Sequence, residues 1–479
     1  MSNSHRVRKK AKKQRRSGSR RSPKPEIKGE QLRSAVSWVV NEESFQSLTF
    51  HGNTKWLVCD LICLAVLWVW SDQASLTAAF VEARDWSLKM FGRVATRSYQ
   101  GLIGALVTVT ASVLPVLWER MQSLMQRHGG EHWRVSGWLP LAVDGSRVST
   151  PRTIDNERAF CAPNFGHGKT ARSRQRKGKK AHKKRPAQPV KPQIWLTLLW
   201  HMGLRLPWCW KTGPSHSSER AHFQELLNTQ RFPEKTLFCG DAGFIGYDVW
   251  KLMIDKGHHF LIRVGSNVTL LKKLGYARES HGIVYCWPDK ASRRNQPPLV
   301  LKLVSLRLGR TPIYLVTNIL DSKDLPATAA RQFYQWRWGV ELQFRTLKQT
   351  FGTSKLRSKT PDRALRELDW SLLGLWMIQL FAVKEQIEIG HPPAHSSVAQ
   401  AIRVVRDMIC HWSETPTKDQ NLSAQLRQAV TDQYHRTKNS KRARYRPDNK
   451  DKPHAGKPVI KIANRQHKLR LKHYLATAV

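Results

Sequence analysis

Apolar positions in the first part of the chain recur every three or four residues. Leu57, Leu61, Leu64, Ala65 and Trp68 fall on one helical face, and the run SLTAAFVEARDWSLKMFG has a Ser75 cap and a Gly92 stop. No two-residue alternation interrupts residues 28–130, so the pattern predicts an α-helical region there. Residues 101–118 are uncharged over eighteen positions, long enough to raise the question of a membrane span. Thr108, Thr110, Ser112 and Pro115 within it, and the lack of a companion span, favour a core helix.

The texture changes at residue 131. WRVSGWLPLAVDGSRV reads as a buried strand ending at Asp144, and residues 192–210 read as two strands joined at Met202–Leu204. A helix capped by Ser217 follows, then a short apolar strand, KTLFCGDAGF, ending at Asp241, and a strand over 258–264. GIVYCW, LVLKLVSLRL and PIYLVTN predict short strands, and residues 362–387 predict a long amphipathic helix that closes the core. Three strands, a helix, two strands, a β-rich insertion and a helix make an α/β domain.

Between the last strand and the long helix lies YQWRWGVELQFRTLK, residues 334–348. Wound as one helix, Tyr334, Arg337, Glu341, Arg345 and Lys348 share a stripe about 80° wide. Trp336, Val340, Phe344, Leu347 and Phe351 form a neighbouring apolar stripe. One flank packs, and the other presents a carboxylate among three cations and a phenol. Taken alone, Glu341 and Arg345 at i,i+4 also fit an intrahelical ion pair on a solvated face.

Charge changes that picture. The 479 residues carry 81 Lys and Arg against 35 Asp and Glu, a formal net charge of +46. Such a surplus repels itself unless a polyanion neutralises it, which makes nucleic acid the first expected partner and an anionic membrane surface the second. Residues 1–27 hold eleven Lys or Arg and one acid, a disordered basic arm. Residues 169–191 hold eleven Lys or Arg and no acid, within a basic loop over 165–192 expected to meet DNA. GHGK in that loop lacks the spacing of a phosphate loop. Residues 412–457 turn polar and basic again. The seven cysteines are scattered; Cys59 and Cys63 lie in an apolar run and read as buried thiols of a reduced, cytosolic chain. No apolar segment of secretory type follows the basic N-terminus.

Asp144 and Asp241 each sit where an apolar run gives way to glycine, in DG and DAG. A carboxylate at the lip of a buried strand is costly unless paired or bound to metal. Singly, each also fits a turn residue. With Glu341 they form a set of three hard oxygen ligands suited to Mg²⁺ or Mn²⁺, and two such ions about 3.5–4 Å apart can hold the attacking and leaving oxygens of a phosphodiester in line.

Tyr334, Arg337, Glu341 and Lys348 fit Y-x2-R-x3-E-x6-K without a gap, AVDGS precedes them, and GDAGF stands between. Over roughly residues 131–385 the chain resembles the DDE-type insertion-sequence transposases of bacteria that carry a YREK signature. The resemblance implies an RNase H-like mixed sheet with a β-rich insertion, preceded by a helical region that recognises terminal inverted repeats. It implies two Mg²⁺ or Mn²⁺ ions on Asp144, Asp241 and Glu341, with Tyr334, Arg337 and Lys348 at the DNA backbone; Arg345, on the same stripe but outside the signature, is expected to bind DNA as well. It further implies double-stranded DNA as partner, both transposon ends and target, cleavage followed by strand transfer, and a homodimer in a synaptic complex. No membrane role and a cytoplasmic, nucleoid-associated bacterial location go with it. The expected organisation is an arm over 1–27, an end-binding helical domain over 28–130, a catalytic domain over 131–387 with an insertion at 265–320, and a helical and basic tail over 388–479. The long basic loop and Ala242, where many relatives have Arg, depart from the family pattern. The alternatives are a non-catalytic DNA-binding protein derived from a transposase, and a nuclease without strand transfer.

Overall fold

The computed structural model describes residues 27–51, 54, 56–162, 191–308, 311–431 and 456–477. All but the last residue of the basic arm and nearly all of the basic loop fall outside these residues, as does the most basic part of the C-terminal stretch.

Four helices come first: α1 (Lys28–Val39), α2 (Val58–Trp70), α3 (Leu76–Phe91) and α4 (Tyr99–His128). Ser75 Oγ accepts from the Ala78 N–H, and Gly92 closes α3 in the left-handed region at φ 69°, as the spacing predicts. Among the described residues α4 is the one helix long and apolar enough to cross a membrane. In this fold Leu102, Leu106, Val109, Val113 and Leu117 are buried, and the Trp370 indole N–H donates to Thr110 Oγ1 at 3.0 Å, as suits a core helix. Cys59 and Cys63 are buried free thiols, and burial pushes the Cys59 thiol up to about 11.

The α/β part begins with β1 (Leu139–Ser149), α5 (Ile154–Phe160), β2 (Gln193–His201) and β3 (Leu206–Pro214). It continues through α6 (Glu219–Thr229), β4 (Thr236–Gly240), α7 (Tyr247–Asp255) and β5 (His259–Val264). These five strands lie in the order β3-β2-β1-β4-β5; β2 runs antiparallel to its two neighbours, while β4 and β5 run parallel to β1. This is the RNase H-like arrangement. The next strands are β6 (Thr269–Lys272), β7 (Ile283–Cys286), β8 (Leu299–Leu308) and β9 (Thr311–Thr317), with the short α8 (Asp289–Arg293) between β7 and β8. They extend the same sheet, because β9 pairs antiparallel with β5. A late strand, β10 (Val459–Ile462), pairs with β6 and completes ten strands, followed by α14 (Arg465–Thr477).

Two details differ from the sequence reading. β1 does not end at Asp144. β2 holds it through Ser149, whereas β4 pairs with it only from Leu139 to Ala142. Asp144 therefore stands where β1 loses one neighbour and keeps the other. The cap of α6 is Ser218, whose Oγ accepts from the Ala221 N–H, not Ser217.

After β9 the chain forms α9 (Ala327–Trp336), α10 (Gly339–Arg345), a π-helical turn at Thr346–Thr350, and α11 (Pro361–Glu388). Then come α12 (Val398–Cys410) and α13 (Leu422–Gln428). α11 is buried on nearly every face, touching α2, α4, β3, α12 and α13, so it is a central helix, not a half-exposed one. Its buried carboxylates are paired, while the Trp376 indole N–H and Arg366 Nε have no hydrogen-bond partner among the described residues. Glu367 accepts from the Arg357 and Ser358 N–H groups, and Asp369 accepts from the Trp210 indole.

Gly339 fixes where α10 meets the sheet. A methyl there would stand 2.0 Å from Cη2 of Trp200 on β2, and Trp200 is only 3% exposed. Replacing a helical Gly by Ala ordinarily stabilises by about 1 kcal/mol, but overpacking a tight contact costs about 1–3 kcal/mol. Gly339→Ala is therefore expected to lower thermal stability in a melting experiment. It is also expected to displace Glu341, two residues on.

Candidate active site

Three elements converge on the edge left open beside β1. Asp144 comes from mid-β1, Asp241 from the residue after β4, and Glu341 from the first turn of α10. Local bonds set the two aspartates. The Gly145 N–H donates to Asp144 Oδ1 at 2.8 Å. The Gly243 N–H donates to Asp241 Oδ1 at 2.7 Å, so that Asp241 caps the turn Ala242–Phe244. Among the described residues neither second carboxylate oxygen accepts a hydrogen bond.

Burial pushes the Asp144 carboxyl up to about 6, with the Gly145 N–H and Arg337 pulling down and Asp241 and Glu341 pushing up. The three predicted acids thus share one electrostatic environment. Arg337 is the nearest counter-charge, its Nη1 4.0 Å from Asp144 Oδ2.

The cations and the phenol divide differently from a single solvent-facing stripe. A turn at Arg337–Trp338 separates α9 from α10, so the segment is not one uninterrupted helix. Tyr334 and Arg337 are each only 4% exposed. The Arg337 guanidinium lies 5.7 Å from the Tyr334 ring centre and 5.7 Å from that of Trp338. Its Nε is buried with no hydrogen-bond acceptor among the described residues. Both side chains, expected at a DNA backbone, face inward here. Lys348 reaches back from the π-helical turn and donates to Ser146 Oγ at 2.6 Å, beside Asp144 on β1. Burial lowers its pKa. Arg345 is exposed at the end of α10, and so is Trp338 just before it.

A fourth acid, Glu219, was not anticipated. It opens α6 and stands close enough to Asp144 and Asp241 that both raise its pKa, after burial, the largest cause, to about 7. In the sequence it is an ordinary first-turn acid behind a serine cap. Only the juxtaposition of α6 with mid-β1 and the end of β4 exposes its company.

Oxygen ligands of this kind suit Mg²⁺ or Mn²⁺. Among the described residues no group of three or more His, Cys, Asp or Glu side chains is placed so that it could hold a metal ion. The fit rests instead on donor chemistry and charge: free carboxylate oxygens on both aspartates, mutual repulsion, and one arginine to offset several acids. A divalent ion would relieve that repulsion.

Residues 139–377 match the family model described as Transposase DDE domain, a span that contains all four acids. Transposase InsG for insertion sequence element IS4, from Escherichia coli (strain K12), is 24% identical over 291 residues, 58% of this chain and 60% of that protein. The chain thus spans about 60% of that relative's length. A cryo-EM structure of a piggyBac transposase synaptic complex with hairpin DNA aligns over 85% of this chain and 84% of that one, at 14% identity and a TM-score of 0.37.

Proposed function

We propose, from the premise that this chain belongs to the transposase DDE-domain family, that it binds the ends of an insertion sequence, cuts them in a metal-dependent reaction and joins them to target DNA. The observation that supports the reading is that Asp144 and Asp241 lie on or just after the adjacent inner strands β1 and β4, with Glu341 near enough to raise the Asp144 pKa, in a chain of net charge +46.

In this reading the three acids are the ligands of Mg²⁺ or Mn²⁺. A bound ion would supply Lewis-acid stabilisation of phosphodiester oxygens and a more acidic water. The side chains divide the remaining work. Asp144 and Asp241 hold one carboxylate oxygen fixed through Gly145 and Gly243 and leave the other for coordination. Arg345 is exposed for a phosphate contact, and Lys348 is held beside the acids by Ser146, where a phosphate would compete for its ammonium. Arg337 orients Asp144, and Tyr334 acts through Arg337. Two copies on two DNA ends belong to the same reading, as does end recognition by the helices over 28–130.

The test is cleavage of a plasmid carrying the DNA that flanks the reading frame, with Mg²⁺ or Mn²⁺, followed by product analysis with a supercoiled target. Nicks at the element's ends and joined products support the reading. Cutting without joining makes the protein a nuclease. Binding without cutting in either ion makes it a non-catalytic binder.

A further inference from the structure

We propose that Glu219 is a fourth carboxylate of the divalent-cation site formed by Asp144, Asp241 and Glu341. The proposal rests on the metal-dependent reading above and deepens it.

Glu219 is the first residue of α6, yet its carboxylate does not simply extend into solvent as first-turn acids can. Its Oε1 lies 2.6 Å from the point where a methyl on Gly145 would sit. Its Oε2 lies 3.2 Å from the corresponding point on Gly243, to which Asp241 Oδ1 approaches within 2.9 Å. The carboxylate is thus wedged over the two glycines that follow the two aspartates. A side chain at 145 would collide with it and with the Trp195 ring, and one at 243 would crowd it, with Asp241 Oδ1 nearer still.

Among the described residues no N–H, hydroxyl or cation donates a hydrogen bond to this carboxylate. Arg147, the cation that favours its ionised form, stacks 4.5 Å from the Trp195 ring centre and donates to the Ser215 carbonyl. A half-buried carboxylate without a donor, set against two others, is an expensive arrangement. A shared divalent ion with six or more oxygen ligands makes use of it. A role confined to the α6 dipole would be served equally with the carboxylate in water.

The experiment is a Mn²⁺ titration followed by electron paramagnetic resonance on the full chain, comparing wild type, Glu219→Gln and Asp144→Asn. Glu219→Gln is expected to weaken Mn²⁺ binding by about tenfold or more, with a melting temperature in EDTA no lower than that of wild type. Iron(II)–ascorbate scission of the wild-type backbone supplies a measurement that needs no variant. It is expected to cut near residue 219 as well as near 144, 241 and 341, and excess Mg²⁺ should suppress all four cuts. Unchanged Mn²⁺ affinity in folded Glu219→Gln, or iron scission near the other three acids but not near 219, overturns the proposal while leaving the metal-dependent reading standing. If Gln at 219 prevents folding, the scission pattern decides. Failure of wild type to bind Mn²⁺ at all overturns the underlying reading, and the proposal with it.

Discussion

Asp144→Asn, Asp241→Asn and Glu341→Gln are each expected to lower cleavage of end-containing DNA by about 10³-fold, about 4 kcal/mol of transition-state stabilisation, while DNA affinity stays close to wild type. Each substitution keeps the side chain's size and removes one negative charge. DNA affinity rests mainly on the basic surface and its counterion release, so loss of one acid does not weaken it. Gel shift and plasmid cleavage on the same preparations separate the two effects.

Asp144→Asn carries a second expectation with the opposite sign. Its carboxyl rises from 3.8 to about 6 on folding. Between those values the folded state binds a proton that the unfolded state has released, so stability falls as pH rises through this window and stays low above it. About two pK units correspond to roughly 2–3 kcal/mol. Asn at 144 keeps the acceptor for the Gly145 N–H and removes the buried charge. In EDTA at pH 8 the variant should therefore melt higher than wild type, and at pH 4 the difference should vanish. A variant that is inactive yet more stable would mark Asp144 as retained for chemistry at a cost in stability.

Arg337→Ala is expected to be the most damaging change among the basic residues. Removing one partner of a buried charge pair costs about 3–5 kcal/mol, because the other charge remains without compensation. Here Asp144 would lose its nearest counter-charge, and the space between the Tyr334 and Trp338 rings would empty. The Asp144 carboxyl should rise further, moving the acid limb of the cleavage pH profile to higher pH. Arg337→Lys keeps the charge but not the planar group, so an intermediate loss is expected. Urea unfolding and the pH profile check both points. A loss below about 1 kcal/mol, the range of an exposed pair, would show that Arg337 does not serve as the counter-charge of Asp144.

Much of the α/β core was legible in the sequence because its strands are short apolar runs bounded by Gly, Asp or Pro. Strands β2 to β5 and β7 to β9 lie where those runs predict. The course of β1 was not legible, because what carries it past Asp144 is pairing with β2 after β4 has dropped away. The helical wheel placed Glu341 and Arg345 on an exposed face correctly. It could not foresee that Arg337 and Tyr334 are buried, since that depends on the turn at Arg337–Trp338 and on Gly339 lying against Trp200. Nor could it foresee that the strands after β5 join the main sheet through β9. Glu219 escaped for a simpler reason: an acid after a serine cap is common, and its proximity to Asp144 and Asp241 exists only once α6 has docked.

Crystals of the full chain grown with Mn²⁺ and measured at the manganese absorption edge would test the central claim most directly. Anomalous density coordinated jointly by Asp144, Asp241 and Glu341 is the predicted result. Manganese bound only elsewhere, with these three side chains holding none, would contradict it.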